Sequence, residues 1–136
     1  MDSKQIESVS EESVEKLAIK TDSINRLVRM LSGGNQQKVV IAKGLMTKPT
    51  VLLMDEPSRG IDIGAKTEVF EIIHEFSERN LSIIVISSEL KEIMAIADRI
   101  YVLSNGKCTA ELSGDEITED NLVRASYAGL GTGKSA

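Results

Sequence analysis

The stretch Met30-Leu31-Ser32-Gly33-Gly34-Asn35-Gln36-Gln37, a helical run, and then Thr50-Val51-Leu52-Leu53-Met54-Asp55-Glu56-Pro57-Ser58-Arg59-Gly60-Ile61-Asp62 decide how this chain reads. The first part is a Ser-Gly-Gly turn feeding a helix start. Ser32 suits an N-cap, and Gly33 and Gly34 leave their backbone N–H groups bare of side chains. A helix N-terminus carries unpaired N–H groups and about half a positive charge. Two readings of the turn stay open: a flexible N-cap, or a seat for an anion such as phosphate. The second part is an apolar run, Val51 to Met54, which predicts a parallel strand covered on both faces. It ends in Asp55 and Glu56. Ligands of open α/β sheets bind at the carboxyl ends of strands. Two adjacent acids there can hold Mg²⁺ and activate water, or they can be a solvated strand end.

Taken together and in this order, the two parts resemble the ATP-binding-cassette (ABC) ATPases. Leu31 to Lys38 matches the signature motif, Val51 to Glu56 the Walker B strand, and Ser58 to Asp62 the D-loop. The Gly-Gly-Asn-Gln-Gln form, with Ser58-Arg59-Gly60-Ile61-Asp62-Ile63-Gly64-Ala65-Lys66, is most similar to the second cassette of ribose-, galactose- and xylose-type sugar-import ATPases.

The resemblance implies an α/β fold. It is a partial P-loop NTPase core, with a mostly parallel sheet flanked by helices and a C-terminal β-hairpin. Residues 13–127 would be the C-terminal part of a cassette. Within them, 13–48 would be the remnant of the helical subdomain and 49–127 the core. Residues 1–12 read as a flexible lead and 128–136 as a flexible tail.

The resemblance also implies roles. Ser32, Gly33, Gly34 and Asn35 would face the γ-phosphate of an ATP held by another cassette. Asp55 would hold Mg²⁺ through water, and Glu56 would be the general base. Asp62 would lie in the loop that couples two sites. Ser88 stands where most cassettes carry a switch histidine, which puts efficient hydrolysis in doubt. The expected partners are a second cassette arranged head to tail and membrane permease subunits. The expected location is the cytoplasm, at the inner face of the membrane. The alternative function is a non-catalytic or regulatory module that pairs with another cassette.

The Walker A strand and loop, which precede the signature motif in the family, do not appear ahead of Ser32. The chain alone is therefore expected not to hydrolyse ATP. It is expected to close over the gap, to fill it with a second copy as a homodimer or by strand exchange, or to aggregate. The tail Ala128-Gly129-Leu130-Gly131-Thr132-Gly133-Lys134-Ser135 matches a permissive phosphate-loop pattern. It follows a helix rather than a strand and has no room to open one, so it is rejected as a working loop.

The 136 residues fit one domain. Lys and Arg number 16 against 21 Asp and Glu, and the net charge of −5 argues against a nucleic-acid partner. A single cysteine, Cys108, makes no internal disulfide, which favours a reducing compartment. It reads as a small packing residue. The polar start is not that of a signal peptide.

Periodicity predicts further helices: a short one over 13–20 or one running into a strand-like Leu17-Ala18-Ile19, then 24–31, 34–46 with Val39, Ala42, Leu45 and Met46 inward, 63–80, 88–98 and 115–127. A second buried strand is predicted over 82–87. Asn105-Gly106 predicts a hairpin between 99–103 and 108–112. His74, among Glu68, Glu71, Glu75 and Glu78, reads as a surface residue on a solvated face.

Overall fold

A computed structural model describes residues 3–128. The phosphate-loop-like tail from Gly129 onward lies outside them. The chain divides into two compact units, residues 1–86 and 87–136.

In the first unit, helix α1 spans Ser3–Lys16. The lead expected to be flexible is thus mostly helical. Glu12 pairs with Lys16 one turn on, and the Ser13 hydroxyl donates to the Val9 carbonyl. The helix ends where Ala18 adopts a positive φ of 46°, and Leu17 and Ile19 on either side are buried. The apolar spacing over 24–31 gives only a 3-10 turn, Val28–Met30, not a helix. Leu27, Val28 and Met30 stay exposed, so no tertiary packing offsets the cost of nucleating a helix there.

Helix α2 is Gly33–Leu45, strand β1 Val51–Asp55, helix α3 Ile63–Glu78 and strand β2 Ser82–Ile86. Strands β1 and β2 pair in parallel, with Leu53 opposite Ile84 and Asp55 opposite Ile86. The core holds Leu17, Ile19, Ile41, Ala42, Met54, Val69, Ile72 and Ile73. The inward face of α2 is rotated from the expected one. Ile41 is buried, whereas Met46 is exposed. The two strands, expected to be covered on both faces, are covered on one. Val51, Leu53, Ile84 and Ile86 share the other face and are 48–69 % exposed. Alternation of side chains forces this result wherever only one layer of helices is present.

In the second unit, α4 is Leu90–Ile96, β3 Arg99–Ser104, β4 Lys107–Ser113 and α5 Glu119–Ala128. Strands β3 and β4 form the predicted antiparallel hairpin, with an irregularity at Val102/Leu103. Asn105 and Gly106 both take positive φ (49° and 71°), as a tight two-residue hairpin turn requires. Ile100, Val102, Leu122 and Ala125 make the core of this unit, with Leu90, Ile93 and Met94 packed against it. Cys108 is exposed, contrary to its reading as a packing residue. It precedes the stretch where β4 returns its side chains to that core. Among the described residues, no helix is long and apolar enough to cross a membrane.

Candidate functional site

The signature-like turn opens α2. Ser32 has the extended backbone of an N-cap (φ −61°, ψ 156°), yet its side chain makes no capping bond. The first helical hydrogen bond runs from Gln36 N–H to the Ser32 carbonyl at 2.9 Å. This geometry leaves the amides of Gly33, Gly34 and Asn35 without partners inside the helix. The entry is fixed from both sides. Gln36 Nε2 donates to the Leu31 carbonyl at 2.8 Å, and Asn35 Nδ2 donates to Ser32 Oγ at 2.8 Å.

The turn sits directly on the loop that follows β1. A Cβ added to Gly34 would lie 2.5 Å from Ala65 Cβ, and one on Gly33 would lie 3.3 Å from Ile61 Cγ2 and 3.5 Å from the Gly60 carbonyl. The glycines thus serve close approach, whatever else they do. Asp62 caps α3, its Oδ1 accepting from Ala65 N–H at 3.0 Å. Ser32, Gly34, Asn35, Asp62, Ala65 and Glu68 line one polar recess.

A residue that pattern reading passed over anchors this arrangement. Lys38 lies on α2 one turn after Gly34 and one turn before Ala42, inside the buried stripe, and is 2 % exposed. Its ammonium reaches Glu68 Oε2 at 2.7 Å and donates to the Ala18 carbonyl at 3.0 Å. Lys20 adds a longer contact to Glu68 Oε1 at 3.4 Å. The hydrogen bond from Lys38, then its charge and that of Lys20, hold the Glu68 carboxyl below its ordinary value. Glu68 is therefore an ion-pair partner and not one of a row of solvated acids. A lysine at i+4 from a small buried residue and i−4 from another was the signal in the sequence.

Asp55 is exposed at the end of β1. Glu56 continues the pairing by one step, its N–H donating to the Ile86 carbonyl at 2.8 Å, and then turns with φ 46°. Arg59 N–H closes the turn on the Glu56 carbonyl at 3.1 Å, with Pro57 and Ser58 fully buried beneath it. A non-glycine residue held in the left-handed region costs about 1–3 kcal/mol and persists only where its surroundings enforce it. Such strain clusters at functional positions.

Ser88, in the second unit, is exposed in the turn before α4. His74 is a surface residue 3.6 Å from Glu78, as its sequence context predicts. Among the described residues no group of three or more His, Cys, Asp or Glu could hold a metal. A lone strand-end carboxylate still suits Mg²⁺, which keeps several waters and takes its other ligands from phosphate oxygens.

The model of the ABC transporter family matches residues 2–59. The chain is 45 % identical over 115 residues to a ribose import ATP-binding protein of Clostridium tetani, covering 85 % of this chain and 23 % of that protein. It is 48 % identical over 116 residues to a xylose import ATP-binding protein of Moorella thermoacetica, with the same two shares of 85 % and 23 %. Among solved structures, an ATP-binding cassette of an ABC transporter in its ADP conformation superposes with a TM-score of 0.80 at 26 % identity, covering 98 % of this chain and 52 % of that one. A dimeric cassette in a post-hydrolysis state with ADP and Pi shares the fold, with a TM-score of 0.72 at 22 % identity, covering 83 % of this chain and 49 % of that one. The chain therefore spans about a quarter of the length of the curated relatives it matches.

Proposed function

We propose that this chain, a partial cassette of the ABC transporter ATPase family, supplies the signature side of a composite ATP site in a sugar importer. The observation that carries the reading is the Ser32-Gly33-Gly34 turn. Its hydroxyl does not cap its own helix, and its amides are bare of intrahelical partners. The site residues divide the work as follows. Ser32 Oγ and the N–H groups of Gly33, Gly34 and Asn35 donate to the γ-phosphate of an ATP held by another cassette. At the ATP of this chain's own half-site, as distinct from the one the turn meets, Asp55 would hold Mg²⁺ through water and Glu56 would accept the proton of an attacking water. Asp62 caps α3 beside the turn, so a change at one element is felt at the other. When bound, Mg-ATP supplies the phosphoryl group whose transfer these residues serve. The site as a whole needs a backbone cradle and a lysine for the β- and γ-phosphates, which a second cassette or the remainder of this one provides.

The names of the relatives support ribose- or xylose-type import; membrane permease subunits as partners and a place at the inner face of the membrane follow from the family resemblance. The test is light scattering of this chain mixed with a complete cassette whose own general base is changed to Gln. A mixed complex that forms with Mg-ATP, fails without nucleotide and weakens in Ser32→Ala is expected. Complex formation indifferent to both would overturn the reading. Alone, the chain is expected not to turn over ATP; turnover that disappears in Glu56→Gln would show that the chain completes a site by itself.

A further inference from the structure

Asn35 is the fifth residue of the signature-like stretch and is buried. Both ends of its side-chain amide are occupied. The backbone N–H of Lys20 points at one end, at 2.8 Å, and Ser32 Oγ lies 2.8 Å from the other. A backbone N–H can only donate, so the amide oxygen must face Lys20. The NH₂ group must then face Ser32. Ser32 Oγ therefore accepts from Asn35. A hydroxyl that accepts on its inner side turns its single proton away from that side.

We propose that Asn35 is a positioning residue that holds the Ser32 hydroxyl as a donor toward the anion at the start of α2. This inference rests on the signature-side reading above and deepens it. The side chain of Asn35 acts on the nucleotide through Ser32 and does not touch it. Lys20 is the outer member of the relay. Its backbone amide sets the Asn35 orientation, and that orientation sets the Ser32 proton. The segment bearing Lys20 is fixed in turn by the buried Leu17 and Ile19 and by the Lys38 bond to the Ala18 carbonyl.

Asn35→Asp is the discriminating change. It is nearly isosteric and keeps an acceptor for Lys20 N–H. Its second oxygen, however, accepts from Ser32, so the hydroxyl proton turns inward. Two measurements test the relay. In the first, side-chain amide protons of Asn35 are followed by NMR in the chain alone. Slow exchange with solvent in the wild type, lost in Ser32→Ala, is expected; fast exchange in the wild type would overturn the proposal.

In the second, Mg-ATP-dependent assembly with a complete cassette is titrated for Asn35→Asp, Ser32→Ala and the double variant, each first shown to be folded. Each single change is expected to weaken assembly about tenfold, the order of one charge-assisted hydrogen bond. The double variant is expected to be no weaker than the poorer single one. Additive losses would mean that the new charge acts directly on the anion and would sink the relay, as would an Asn35→Asp variant that assembles normally. If the wild type assembles with no cassette, the signature-side reading fails by itself. The amide-proton measurement then still decides whether Asn35 sets the Ser32 hydroxyl.

Discussion

The Lys38 ammonium sits 2.7 Å from Glu68 Oε2 and ties α2, which begins at the Ser-Gly-Gly turn, to α3, which begins at the D-loop. Lys38 is buried and Glu68 is partly exposed, so the two sides of the pair are unequal. Changing Lys38 to Met keeps the apolar stem but removes the bonds to Glu68 and to the Ala18 carbonyl. Hydrogen bonds from charged groups are worth about 1.5–3 kcal/mol each. A loss of about the size of the buried Ala18 bond, with the more exposed Glu68 pair adding to it, is expected in urea unfolding for Lys38→Met. Changing Glu68 to Gln is expected to be worse than its exposure suggests, because it leaves a buried ammonium without its counter-charge. An unchanged midpoint in both variants would refute the anchoring role.

The same pair gives stability an acid dependence. The folded chain holds the Glu68 carboxyl below the ordinary value of 4.5, chiefly through the hydrogen bond from Lys38. As pH falls, the unfolded chain takes up the proton first. The contribution of Glu68 is therefore complete above 4.5 and is lost as pH drops through the lowered folded value. Melting temperature should decline below that point, and Glu68→Gln should make the decline shallower. Equal acid slopes for the two proteins would show that other carboxylates govern it.

Gly34 and Ala65 mark where the turn meets α3. A Cβ at position 34 would come within 2.5 Å of Ala65 Cβ. Two carbon atoms cannot share that space, so Gly34→Ala must push the helices apart. Overpacking of this kind costs about 1–3 kcal/mol. The reciprocal double change, Gly34→Ala with Ala65→Gly, is expected to regain most of the loss. Thermal melts of the three proteins decide it; a Gly34→Ala variant as stable as the wild type would mean that the contact is loose.

Much of the site was legible in the sequence because it rests on local chemistry. Gly33 and Gly34 announce a close approach, Asp55 and Glu56 announce a strand end, and Asn105-Gly106 announces a hairpin. The misses share one cause. Periodicity reports which residues would like to be buried, not which have a neighbour to bury them. Leu27 and Val28 keep helical spacing with nothing to cover them, so the segment stays irregular. Val51 to Met54 reads as a strand buried on both faces, yet one face is bare. The place of Lys38 in the i±4 stripe marks its burial but not its partners. Its burial depends on Glu68, thirty positions away, and on the Ala18 carbonyl, and no local pattern encodes either partner.

Glu56 combines a candidate catalytic role with a backbone that only glycine adopts freely. Its φ of 46° is enforced by the bond to the Ile86 carbonyl and by the buried Pro57 and Ser58. Glu56→Gly should relieve that strain, gaining up to about 1 kcal/mol against the extra freedom of the unfolded chain. Glu56→Gln keeps the strain and is the control that reports what the carboxylate charge itself contributes. A destabilised Glu56→Gly protein would show that the side chain holds the turn and does more than suffer it.

The bare face of the β1–β2 pair makes the last prediction. Val51, Leu53, Ile84 and Ile86 lie side by side on it, and within this sheet each strand is paired along one edge only. Apolar surface in water costs about 25 cal/mol per Å², and unpaired strand edges template further pairing. The isolated chain should therefore self-associate, the more so as concentration and salt rise. Leu53 and Ile84 sit opposite each other in register, at the centre of the patch. Replacing them by Lys and Glu introduces charges that repel an apolar partner and attract each other. The paired variant should run as a monomer in light scattering while keeping the fold. A wild-type chain that is cleanly monomeric at tens of micromolar would mean that the face is tolerated in water and that assembly is not driven from here.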